Sequence, residues 1–189
     1  MGTLDPLASG VLVILCVRAT KLADELHREH QKTYQSAFLF GVTSDTLDLA
    51  GEIIATSDVL PTREQIEKIL PEMVGDIEIE VPKYSAVHIN GKRAYDLARQ
   101  GIDFTPPTRV VNIKRFELLE QRSKNEFFFE IECQTGTYIR SLAKLMAEKL
   151  GTVALASVII RTRVGAFKIE DAKTLEDVTI DDLITQSFA

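Results

Sequence analysis

The stretch Glu126-Phe127-Phe128-Phe129-Glu130-Ile131-Glu132-Cys133-Gln134-Thr135-Gly136-Thr137-Tyr138-Ile139-Arg140-Ser141-Leu142-Ala143-Lys144-Leu145-Met146-Ala147-Glu148-Lys149-Leu150 decides the class of fold. Its opening alternates, with Phe127, Phe129, Ile131 and Cys133 set against Phe128, Glu130, Glu132 and Gln134. A period of two predicts a strand over residues 126–134 with one face in the core. At Thr137 the period changes. Ile139, Leu142, Ala143, Met146 and Leu150 recur at helical spacing, so a helix is predicted over residues 137–150, closed by Gly151.

Outward from this pair, strands are predicted at 110–119 and 154–160, on either side of it. Pro106-Pro107 breaks the chain ahead of the first. Further upstream, residues 33–40 and 48–55 read as strands around a polar turn, Thr43-Ser44-Asp45. Residues 62–73 carry Ile66, Ile69, Leu70 and Met73 at helical spacing, and 84–89 look extended before the turn signal Asn90-Gly91. Residues 92–100 read as a helix stopped by Gly101, and 19–28 as a short helix. The apolar run 11–17 reads as a buried strand, and 175–184 as a weak acidic helix. Strands in runs, interrupted by few helices, favour α+β over a doubly wound sheet.

The chain has 189 residues, 45% of them hydrophobic and 26% charged, which fits one ordinary domain. The longest apolar run is too short to span a bilayer, so no membrane is expected. Cys16 and Cys133 both lie in apolar stretches without metal spacing. Both read as buried small hydrophobes in a reduced, cytoplasmic protein. The formal net charge is −6, but it is unevenly spread. Residues 1–80 carry 6 basic and 14 acidic side chains, whereas 81–170 carry 15 basic and 9 acidic. A basic surface on an acidic molecule suits phosphate contacts, which depend on local charge.

Three residues invite a chemical reading. Asp5 sits in a turn, where a carboxylate is either a nucleophile or general base or, more commonly, a bond acceptor for the turn's own N–H groups. Arg140 falls in the first turn of its helix, against the dipole, which calls for an anion nearby; an exposed surface arginine is the plainer reading. Tyr34 opens a strand, and an aromatic there either stacks on an extruded base or simply packs the sheet. No Gly-rich phosphate cradle appears, and His27, His30 and His88 suggest neither a metal site nor a triad. Spacing alone leads no further than a cofactor-free domain with a candidate carboxylate site.

The segment Gly2-Thr3-Leu4-Asp5-Pro6-Leu7-Ala8-Ser9-Gly10-Val11-Leu12 resembles the catalytic motif of the TruB-type pseudouridine synthases almost letter for letter. Further segments resemble that family in its own order. Arg18-Ala19-Thr20-Lys21 precedes Lys32-Thr33-Tyr34, and Ser44-Asp45-Thr46-Leu47-Asp48 precedes Gly51-Glu52. Pro82-Lys83-Tyr84-Ser85-Ala86 and Asn90-Gly91-Lys92-Arg93-Ala94-Tyr95 follow, then Ala98-Arg99-Gln100-Gly101. Gly136-Thr137-Tyr138-Ile139-Arg140-Ser141-Leu142 and Arg161-Thr162-Arg163 complete the set.

The resemblance implies a pseudouridine synthase catalytic fold: a mixed, mostly antiparallel sheet with flanking helices. It implies conversion of a uridine in the TΨC loop of tRNA to pseudouridine, with base flipping and without cofactor, metal or required protein partner. Asp5 would be the nucleophile, Tyr34 the base-stacking tyrosine and Arg140 the partner of Asp5. Lys21, Asp48 and Tyr138 match positions lining the same pocket. Lys83, Lys92, Arg93, Arg99 and Arg163 are the candidates for holding RNA phosphates. The compact length and the segment 91–95 fit the bacterial form better than its H/ACA relatives.

Departures are few. The family's histidine before the catalytic motif has no counterpart, because the chain begins with Met1; Leu155 and Ile160 replace a usual histidine and arginine. The resemblance assigns residues 1–170 to the catalytic domain without its opening strand–helix segment, and 171–189 to the start of a C-terminal segment whose RNA-binding extension is short or absent. A missing opening segment would leave apolar surface along 11–17 uncovered. Two rivals stay open: an inactive, truncated tRNA-binding module, and a glycoside hydrolase. The latter needs a second acid opposite Asp5 that no motif supplies, with Asp48 left open.

Overall fold

A computed structural model describes residues 2–22 and 31–179. These residues form eleven strands: β1 (Ser9–Gly10), β2 (Lys32–Phe40), β3 (Val42–Ser44), β4 (Ile53–Thr56), β5 (Gly75–Glu80), β6 (His88–Ile89), β7 (Lys92–Arg93), β8 (Thr108–Gln121), β9 (Glu126–Cys133), β10 (Ala154–Val164) and β11 (Phe167–Lys168). Among the described residues three α-helices accompany them: α1 (Arg63–Ile69), α2 (Ala94–Arg99) and α3 (Ile139–Lys149). The main sheet runs β1-β10-β2-β9-β8-β5, with β11 beside β10. All its pairings are antiparallel except β1 with β10, so the sheet is mixed, mostly antiparallel, and the class is α+β.

The alternation in β9 does what its period requires. Phe127, Phe129, Ile131 and Cys133 are fully buried, while Glu130 and Glu132 stay on the other face beside Arg115. Phe129 meets Phe116 edge-on at 5.3 Å and Phe38 at 4.9 Å, binding β8, β9 and β2 through their rings. Such ring pairs add about 1 kcal/mol each beyond area burial. Helix α3 closes this face with Ile139, Leu142, Ala143 and Met146. Helix α1 opens with a capping box between Thr62 and Gln65 and continues as a 3-10 turn, Leu70–Met73.

Several expected elements differ. Residues 11–17 are not a buried strand: β1 ends at Gly10, Val11 is the only buried residue over 11–16, and Leu12 and Ile14 are 47% and 64% exposed. Apolar content alone does not make a strand; it needs an edge to pair with, and the chain leaves β10 after Val11. The strand expected at 48–55 is Ile53–Thr56, because Leu47 takes φ 63° and turns the chain at Asp48. Residues 92–93 pair with β6, so the helix starts at Ala94. Strand β5 was not anticipated, although Ile77 and Ile79 alternate within it. The helix expected at 19–28 appears as a 3-10 turn, Val17–Leu22, its remainder lying outside the described residues. Of the helix expected at 175–184, residues 175–179 are not helical and the rest lies outside the described residues.

Candidate active site

Asp5 lies in the loop between Gly2 and β1, closed by a bond from Ala8 N–H to Asp5 O at 2.9 Å. The loop can fold so tightly because Gly2 and Gly10 both take positive φ, 64° and 103°. At Gly10 a Cβ would overlap the carbonyl oxygen of Arg161, so the close approach of β1 to β10 requires glycine. Asp5 keeps 38% of its side chain exposed and is reachable from solvent.

Helix α3 delivers Arg140 from the opposite side. Its guanidinium is 4% exposed, and Nε–H donates to Asp5 Oδ2 at 2.8 Å. Nη1 donates to Thr46 O at 2.6 Å and Nη2 to Tyr84 O at 3.1 Å. Arg140 is therefore fixed at three points, and the surface-arginine reading is excluded. The next residue, Ser141, donates to Glu80 O and pins the helix start to β5.

Asp48 completes the centre. Its Oδ2 lies 3.8 Å from Arg140 Nε, while Oδ1 accepts from Thr46 Oγ1 at 2.6 Å and Ala50 N at 2.9 Å. Asp5 and Asp48 thus share one guanidinium, with Asp48 buried and Asp5 open. Among the described residues, no group of His, Cys, Asp and Glu could hold a metal ion.

Tyr34 points from β2 into the core side, opposite Arg161 on β10 and Ile131 on β9. Burial pushes its phenol up to about 12; the nearby Cys133 adds to the shift, the Arg161 charge opposes it, and the Asp5 charge adds a smaller push. Lys32, also buried, is pulled below its ordinary value by burial and then by the charge of Arg161. Tyr138 precedes α3, with the Arg109 guanidinium 5.7 Å from its ring centroid. Lys21 is exposed on its 3-10 turn, and no described ion pair joins it to Asp5.

The RNA-binding candidates separate into two groups. Lys83, Lys92, Arg93 and Arg99 are exposed on the segment that follows β5, which Tyr84 O ties to Arg140. Arg93 donates to Ala86 O, Arg99 lies over Tyr95, and Lys83 pairs with Asp103 at 3.2 Å. Arg163 stands apart. It registers with Thr33 and bonds Glu132 at 3.3 Å, on the sheet face away from Tyr34. A register shift between Arg161 and Arg163 sets Arg163 opposite Thr33 rather than on the face of Tyr34 and Arg161, because a bulge breaks the two-residue alternation of a strand.

Sequence reasoning gave no role to Arg161, which is 1% exposed and the largest fully buried side chain among the described residues. Its register between Ile159 and Val164, both buried in β10, was the available signal. Thr46 and Tyr84 contribute backbone carbonyls, which no side-chain pattern reveals.

Residues 1–139 match the family model described as TruB family pseudouridylate synthase (N terminal domain). The tRNA pseudouridine synthase B of Caulobacter vibrioides is 41% identical over 190 residues, covering 99% of this chain and 61% of that protein. That of Acaryochloris marina is 44% identical over 178 residues, covering 93% and 61%. The chain thus spans about three fifths of the length of these curated relatives. A solved Cbf5-Nop10-Gar1 complex superposes with TM-score 0.68 at 29% identity, over 93% of this chain and 43% of that one. An H/ACA RNP bound to a substrate RNA superposes with TM-score 0.65 at 26% identity, over 93% and 41%. With most of its length matched and two fifths of its residues shared with these synthases, the chain belongs to the TruB family of pseudouridylate synthases.

Proposed function

We propose that this chain isomerises a uridine in the TΨC loop of tRNA to pseudouridine, with Asp5 as nucleophile. The observation that carries this reading is the Asp5–Arg140 pair: a solvent-reachable carboxylate held at 2.8 Å by a buried guanidinium that three acceptors immobilise. A nucleophile held in one place needs little reorganisation when substrate arrives.

The reaction breaks the C1′–N1 bond and makes a C1′–C5 bond. The C5 hydrogen leaves as a proton and N1 gains one, so no redox partner is needed. Asp5 either adds to the base or acts at the sugar to release a glycal, and either route frees the ring for rotation. The uridine must first leave its stack, at a cost of a few kcal/mol. Tyr34, neutral at physiological pH, offers a ring for the flipped base, and Tyr138 borders the same helix start. Lys83, Lys92, Arg93 and Arg99 would hold phosphates on the exposed flank.

Tritium release from tRNA transcript labelled at C5 of uridine tests the reading. Release from the TΨC position supports it. Tight tRNA binding without release would favour the binding-module alternative instead.

A further inference from the structure

We infer that Arg161 is the positioning residue that sets Asp5 against Arg140, by clamping both ends of the Asp5 loop to the sheet. The inference rests on Asp5 being the nucleophile. Arg161 Nε–H donates to Val11 O at 2.7 Å, and Nη2–H donates to Gly2 O at 3.1 Å. These carbonyls stand at the two ends of the segment that carries Asp5. The backbone of Arg161 adds a third tie, with Val11 N–H donating to Arg161 O at 2.8 Å beside the Ser9–Gly10 pairing. Arg161 also stands opposite Tyr34 in the pairing of β10 with β2.

No described carboxylate pairs with Arg161, although it is fully buried at 1% exposure. Burying a guanidinium on carbonyls alone costs more than an apolar side chain of the same size would. Packing therefore does not explain the residue, whereas a rigid fork reaching two carbonyls that stand nine residues apart in the chain does. β1 is only two residues long, too short to fix the loop by pairing alone. One planar group thus ties the nucleophile's loop to β10, at the position opposite Tyr34 on β2, while Arg140 fixes the carboxylate from α3.

The test is Arg161→Lys, which keeps the charge and loses the fork. A loop displaced by about 1 Å lowers kcat by about 100-fold. KM for tRNA should stay within about threefold, because Arg161 is 1% exposed and offers no surface for phosphate contacts. An independent reading is the arginine Nε–H signal of Arg140 in a ¹H–¹⁵N spectrum of the free protein. It should shift or broaden in the variant, since its acceptor is Asp5. An unmoved Arg140 signal overturns the inference whatever happens to kcat, as does a loss carried by KM. If the parent chain shows no turnover, the functional reading fails, and the spectrum alone decides this one. If Arg161→Lys does not fold, the Nε–H of Arg161 in the parent decides. Slow exchange supports the clamp, and exchange as fast as an exposed arginine overturns it.

Discussion

Arg140 Nε–H donates to Asp5 Oδ2 at 2.8 Å while Thr46 O and Tyr84 O occupy the two Nη atoms of the same guanidinium. The pair joins residues far apart in sequence, one from a turn ahead of the sheet and one from the helix that covers it. The geometry has consequences for activity and for stability.

Asp5→Asn should abolish turnover and spare the fold. The amide oxygen still accepts from Arg140, but the nucleophile is gone, and losses of about 1,000-fold or more are expected for removing such a group. Tritium release and a urea melt, run on the same preparation, check both halves.

Arg140→Ala should destabilise as well as inactivate. It strips donors from Thr46 O, Tyr84 O and the buried Asp48 carboxylate, which is 6% exposed. Unsatisfied buried acceptors cost about 1–3 kcal/mol each, so a loss of about 3 kcal/mol is expected even with Asp5 solvated. Chemical denaturation measures it, and a loss below about 1 kcal/mol would contradict the network.

Gly10→Ala and Gly75→Ala should differ sharply. Both glycines take positive φ, 103° and 97°, so both substitutions carry backbone strain of about 1–3 kcal/mol. A Cβ at Gly75 meets nothing within 4 Å, whereas at Gly10 it overlaps Arg161 O. Gly10→Ala should therefore lose more stability and also part β1 from β10, seen as lost turnover.

Stability should fall as pH rises from about 9 to 12. Tyr34 and Cys133 are both raised to about 12 from 10.0 and 9.0, chiefly by burial. Each group then binds its proton more tightly folded than unfolded. Its contribution is complete below the unfolded value and lost as pH climbs to the folded one. Lys32, lowered from 10.5, has the opposite sign and offsets part of the loss. Urea midpoints between pH 8 and pH 11 should drop less steeply in Tyr34→Phe than in the parent.

Salt dependence should distinguish the basic residues. Replacing Lys92 or Arg93 with alanine should reduce the slope of log affinity against log salt by about 1. Arg163→Ala should leave it unchanged, because that side chain pairs with Glu132 on the far face. A lowered slope for Arg163→Ala would contradict the placement of RNA on the Asp5 side.

Much of this was readable in the chain itself. The alternation of Phe127, Phe129, Ile131 and Cys133, and the stripe from Ile139 to Met146, each carry their own period, so β9 and α3 were legible from local pattern. The run 11–17 misled because its composition suited a strand that had no edge to pair with. The GDIEIE segment of β5 was passed over although Ile77 and Ile79 marked its inner face. Resemblance to the TruB-type motifs supplied the names of Asp5, Tyr34 and Arg140, while spacing alone left each beside a plainer reading.

The sequence by itself determined the family, the α+β class and the chemical types at the site, because periodicity and motif order are properties of neighbouring residues. Tertiary structure alone decided that Arg140 is buried and shared by Asp5 and Asp48, and that its other donors end on Thr46 O and Tyr84 O. It also decided that Arg161 grips both ends of the Asp5 loop while Arg163, two residues on, faces away. Each of these depends on strand register and on backbone carbonyls brought together from distant segments. A backbone carbonyl is the same group in every residue, so nothing in the sequence marks which ones the fold will use.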